Sequence, residues 1–110
     1  MLQQLASEAE VDALMSSPGP AWLLKHSSAC SISGAAFDEV ARFLAQHPDH
    51  QAGVVVIQSH RPLSNLVSNR LKYMHQSPQL FLLKDGKVLW SATHWSITAD
   101  AMSVAMDKQA

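Results

Sequence analysis

Cys30 is the one cysteine among 110 residues, and it stands in Lys25-His26-Ser27-Ser28-Ala29-Cys30-Ser31-Ile32-Ser33. The apolar run Ala21–Lys25 ahead of it reads as a strand, and the residues after it repeat as an amphipathic helix does. A thiol at such a junction meets the unpaired N–H groups and the positive dipole end of the helix. Both favour the thiolate, which is the nucleophilic form, and predict a pKa below the free value of about 8.5. Ser33 stands where a Cys-x-x-Cys motif has its second cysteine. Its hydroxyl can donate to the thiolate, but serine cannot resolve a mixed disulfide. The chemistry open to Cys30 is therefore monothiol, completed by an external thiol. Lys25 and His26 precede the loop, where each either adds positive potential or points away. A lone cysteine is also commonly a small buried apolar group; the junction and the C-x-x-S spacing favour the reactive reading.

The elements that must position this thiol are legible in outline. Ser7-Glu8-Ala9-Glu10 has capping-box spacing and opens a short helix carrying Val11, Leu14 and Met15, stopped by Ser16-Ser17-Pro18-Gly19-Pro20. After Cys30, Ile32, Ala36, Val40, Phe43 and Leu44 share one helical face, with Asp38, Glu39, Arg42 and Gln46 opposite. Val54-Val55-Val56-Ile57 lacks alternation, as in a strand covered on both sides. Pro62 suits the first turn of a third helix. Leu80–Leu83 and Val88–Thr93 flank Asp85-Gly86, a type I′ hairpin signal, and Thr98 caps a last helix. The order α-β-α-β-α-β-β-α predicts one α/β domain over residues 1–110. It is the order of the thioredoxin fold, a central mixed four-stranded sheet flanked by helices, with the strand before Cys30 in the middle.

That fold gives Ser77-Pro78 a meaning. A cis-proline opens the strand after the third crossover in thioredoxin-like folds and lies against the reactive cysteine. Its preceding residue offers backbone groups to a bound peptide or thiol. Alternation past the last strand sets Trp90, Ala92 and His94 on one face and Ser91, Thr93 and Trp95 on the other. Either core packing or a thiol-binding groove accounts for His94 and Trp95. Arg61, or Arg70, either solvates the third helix or receives a carboxylate from a small acidic thiol. His26, Cys30, His75 and His94 could converge at one end of the sheet, but they lack zinc-ligand spacing, so no metal is expected.

Eight basic and nine acidic residues give a formal charge of −1, which favours neither nucleic acid nor an anionic membrane as partner. No apolar run approaches the roughly 20 residues that span a bilayer. Met1–Ala6 lacks the features of a signal peptide. One cysteine permits no internal disulfide, so a reducing cytoplasm is the expected location.

Four segments carry a family resemblance: Lys25-His26-Ser27-x-x-Cys30-x-Ile32-Ser33, Arg61-Pro62-Leu63-Ser64-Asn65, His75-Gln76-Ser77-Pro78-Gln79 and Trp90-Ser91-Ala92-Thr93-His94-Trp95. Together they resemble the monothiol bacilliredoxins, from about Trp22 to the final helix. The resemblance implies thiol-disulfide exchange with bacillithiol, a glucosamine-malate-cysteine thiol, as co-substrate and no tightly bound cofactor. It implies S-thiolated client proteins as partners and a possible reductase, with Cys30 as reactive cysteine and Pro78 as cis-proline. The family commonly carries proline directly after the cysteine; Ser31 here frees a backbone N–H and removes a rigid first-turn residue. Catalysis would rest on Cys30 and Ser33, and substrate binding on Lys25, His26, Ser77, Pro78, Arg61, His94 and Trp95. The alternatives are a non-catalytic thioredoxin-fold adaptor, or the same chemistry with glutathione or coenzyme A.

Overall fold

The computed structural model describes residues 2–109. Its elements are β1 (Leu2–Gln4), α1 (Glu8–Met15), β2 (Ala21–His26), α2 (Ser31–Gln46), β3 (Gln51–Val56), α3 (Arg61–Leu71), β4 (Gln79–Lys84), β5 (Lys87–Thr93) and α4 (Ala99–Lys108). A 3-10 turn at His94–Ser96 precedes α4.

The strands make one mixed sheet in the order β1-β3-β2-β4-β5, with β2 central. β3 runs parallel to β1 and β2, whereas β4 is antiparallel to β2 and β5 to β4. The sheet thus has five strands, not the expected four. The additional one, Leu2-Gln3-Gln4, is short, and both of its glutamines are exposed. No alternation marks it in the sequence; pairing with the outer edge of β3, Leu2 opposite Ala52, makes it a strand.

Two-sided burial explains the unbroken apolar runs. Along β2, Trp22 and Leu24 pack with Val40, Phe43, Leu80, Leu82 and Met102 beneath α2 and α4. Ala21 and Leu23 pack instead with Val55, Leu63, Val67, Leu71 and Phe81 beneath α1 and α3. Leu23, Leu24, Leu80, Leu82 and Leu83 are fully buried, and each such side chain stabilises the fold by about 2 kcal/mol. Trp22 meets Phe43 edge-on at 5.2 Å, and its indole N–H donates to His50 Nδ1 at 3.1 Å. Gly53 leaves room where β3 passes under Leu5 and α1: a Cβ there would lie 2.7 Å from Leu5 Cδ1 and 3.0 Å from Leu14 Cδ2, so these side chains would have to shift.

Local signals set the element ends. Ser7 Oγ accepts from the Glu10 amide at 3.2 Å, and Glu10 accepts from the Ala6 amide at 2.9 Å. Thr98 Oγ1 accepts from the Ala101 amide at 3.0 Å. Asp85 and Gly86 both have positive φ, as a type I′ turn demands. The end of β5 also departs from the expected pattern. His94 adopts φ 52° and leaves the strand, so alternation stops at Thr93 and does not extend to His94 and Trp95.

A candidate thiol site at the start of helix α2

β2 and β3 both point their C-terminal ends at one edge of the molecule, and β4 starts from that edge after Pro78. Cys30 is the N-cap of α2 and is half-buried. Its side chain closes no cap hydrogen bond of ordinary geometry. The Ser33 and Ile32 amides, followed by the Ser33 hydroxyl, nevertheless act on the sulfur and lower its pKa. They are the second and third helical N–H groups, the ones an N-cap side chain naturally meets. The amide that Ser31 gains in place of proline is not among them.

Ser33 is fully buried, and its Oγ also accepts from the Ser27 amide at 3.3 Å. One hydroxyl thus supports the sulfur and closes the loop leading to it. Gln58, which follows β3, completes that closure: its Oε1 accepts from the Ser28 amide at 3.0 Å, and its Nε2 donates to Ser27 Oγ at 2.6 Å. Nothing in the spacing of Gln58 marked it; its position just past the C-terminal end of a parallel strand was the available clue. Ser33→Ala is expected to raise the Cys30 pKa and to cost about 1 kcal/mol through the unanswered Ser27 amide. The pH profile of iodoacetamide labelling and urea denaturation measure the two effects.

The Ser77–Pro78 peptide bond is cis, and Pro78 is buried. Its carbonyl accepts from the His94 amide at 3.1 Å, which ties the turn after β5 to this segment. The Ser77 Oγ and His26 Nδ1 atoms are buried and without a hydrogen-bond partner. His26 stands beside Phe37, ring centroids 5.3 Å apart, and burial lowers its pKa against a smaller opposing effect of the Ser33 backbone. Its imidazole is therefore neutral at pH 7 and supplies no cation to the thiolate.

The other predicted residues separate. Lys25 is 0% exposed, and its ammonium contacts Ser68 Oγ and His75 Nδ1, each at 2.7 Å. Burial, and then the charge of Arg61, lower its pKa to about 8. Arg61 is exposed at the first position of α3, on the helical face that carries Ser64 and Ser68. Arg70 is engaged by Glu8, at 2.9 Å, and Asp12. His94 and Trp95, the latter 69% exposed, line a cleft of about 360 Å³ with Ala35, Asp38 and Glu39 of α2. Among the described residues, no group of three or more His, Cys, Asp or Glu is placed to hold a metal ion.

A thioredoxin fold whose central strand leads to one thiol with a lowered pKa, beside a cis-proline segment, defines a thiol redox protein of the thioredoxin class. The chain belongs to the monothiol bacilliredoxin family, since the family described as "Monothiol bacilliredoxin BrxC" matches residues 3–102. A solved protein provisionally assigned as an oxidoreductase with a thioredoxin fold is 27% identical, with TM-score 0.90 over 96% of this chain and 93% of that one. Thioredoxin from Trypanosoma brucei brucei shares the fold at 10% identity, TM-score 0.82, over 99% and 90% of the two chains. Fasciola hepatica thioredoxin does so at 14% identity, TM-score 0.74, over 98% and 97%.

Proposed function

We propose that this protein removes bacillithiol from S-bacillithiolated proteins in the cytoplasm. The observation that carries the reading is Cys30 itself, an accessible thiol of lowered pKa with no second cysteine to resolve it. The Cys30 thiolate attacks the bacillithiol sulfur of a mixed disulfide. The client's sulfur leaves with the electron pair of the broken S–S bond and is released as a thiol. Cys30 now carries the bacillithiol, and a second small thiol or a reductase displaces it in the same way, restoring the thiolate. Ser33 and the α2 amides support the thiolate, while Ser77 and Pro78 offer the edge along which the disulfide lies. A lowered pKa at Cys30 is what an exchange catalyst requires and an adaptor does not.

Intact mass after incubation with oxidised bacillithiol, oxidised glutathione and coenzyme A disulfide in turn tests the choice of thiol. A bacillithiol adduct on Cys30 that forms faster than the other two is expected. Absence of that adduct, or preference for glutathione or coenzyme A, overturns the reading.

A further inference from the structure

Lys25 takes no part in the chemistry above, and its burial is costly. Its side chain lies wholly out of water, yet no carboxylate is within ion-pair distance of it among the described residues. Apolar side chains of similar volume commonly replace buried ions without loss of stability, so stability does not account for a lysine here. What the ammonium connects does.

His75 lies just ahead of Gln76-Ser77-Pro78. Burial, then the charges of Lys25 and Arg61, lower its pKa, so the ring is neutral and accepts from the Lys25 ammonium at Nδ1. The same ammonium donates to Ser68 on α3, and Ser64 Oγ lies 3.5 Å from the same ring nitrogen. Directly opposite Lys25 in the β2–β4 ladder stands Gln79, 2% exposed. Its Nε2 donates to the Met74 carbonyl at 3.2 Å, and its Oε1 accepts from the Gln76 amide at 3.3 Å. One cross-strand pair therefore grips three successive residues: Gln79 holds the backbone of Met74 and Gln76, and Lys25 holds the ring of His75. Serines of α3 back the grip. Past this segment the chain reaches Ser77 and Pro78, whose carbonyl is fastened to His94.

We propose that Lys25 and Gln79 are positioning residues for disulfide exchange, acting through Met74, His75 and Gln76 to hold Ser77 and Pro78 where a disulfide at Cys30 docks. The inference rests on the exchange reading above. Lys25 follows Leu23 on the sheet face beneath α3, whereas the amides that act on Cys30 belong to α2 on the other face. Removing the ammonium thus loosens the docking segment and leaves the thiolate intact.

Lys25→Met and Gln79→Leu test this with three measurements. Amide hydrogen exchange across residues 74–77 is expected to quicken roughly tenfold or more, the equivalent of one or two lost hydrogen bonds. KM for a protein–bacillithiol mixed disulfide is expected to rise by a similar factor, with a smaller change in kcat. The pH profile of iodoacetamide labelling at Cys30 should stay where it is. Unchanged amide exchange in both variants overturns the proposal. So does a labelling rate that falls in step with disulfide exchange, because Lys25 would then act through its field on the sulfur. His75→Ala, at a half-buried position, cuts the same grip from the loop side and must show the same split if Lys25→Met does not fold. The amide measurement needs no substrate, so a wild-type protein inactive on bacillithiolated clients would sink the exchange reading separately.

Discussion

Cys30→Ser is expected to abolish the proposed removal of bacillithiol from a modified client while making the protein slightly more stable. The loss is to the uncatalysed background, roughly a thousandfold or more, because serine at neutral pH has almost no alkoxide and cannot form the mixed disulfide. The gain is expected because position 30 is an N-cap whose sulfur closes no cap hydrogen bond of ordinary geometry with the amides that act on it. A serine hydroxyl there can accept from the Ile32 or Ser33 amide and add about 0.5–1 kcal/mol to α2. Activity and stability thus move in opposite directions in one variant. A de-bacillithiolation assay and urea denaturation on the same preparation measure both. Undiminished release of bacillithiol would remove Cys30 from the reaction and, with it, the proposed function.

The second large effect concerns Lys25 and pH. In the folded protein its pKa is lowered from 10.5 to about 8, first by burial and then by the charge of Arg61. Between about pH 8 and pH 10.5 the unfolded chain holds this proton while the folded chain has released it. The unfolded state then binds more protons, so stability rises with pH across that window. The whole shift corresponds to about 3 kcal/mol of destabilisation carried at pH 7. Lys25→Met removes that cost and also leaves Ser68 and His75 without their donor, a loss of about 1 kcal/mol each. The net expectation is a variant about 1 kcal/mol more stable at pH 7. Its advantage shrinks and then reverses as the pH approaches 10. Chemical denaturation of both proteins at a series of pH values reads the difference, in which the other titrating groups largely cancel. A variant less stable at pH 7 whose deficit does not vary with pH would show that the lysine is not held against its desolvation. Should the variant prove more stable yet poorer at exchange, Lys25 is retained for what it holds in place.

Much of this protein is written in short stretches of chain. The start of α2 at Cys30, the Asp85-Gly86 turn and the Thr98 cap each depend on contacts within a few residues, and each stands where the local signal predicted. The apolar runs of β2 and β3 report two-sided burial directly, which places those strands inside the sheet. Cys30 with Ser33 is equally local, since one helical turn brings the hydroxyl to the sulfur.

Other features had no local cause. Leu2-Gln3-Gln4 is a strand only because β3 offers it an edge. His94 continues an alternating pattern in sequence, yet its positive φ turns the chain there, and its amide joins the Pro78 carbonyl. Gln58 reaches the Ser27-Ser28 loop from 30 residues away.

Lys25 shows the division most sharply. In the residue order a lysine ends an apolar strand just before the thiol loop, with nothing to say whether it faces that thiol or turns away. Its burial follows from folding, which brings Ser68 from 43 residues away and His75 from 50 residues away to receive its ammonium. Backbone propensity, capping and periodicity act between near neighbours and so can be read along the chain. The cost of a buried charge is met by groups that only folding brings together.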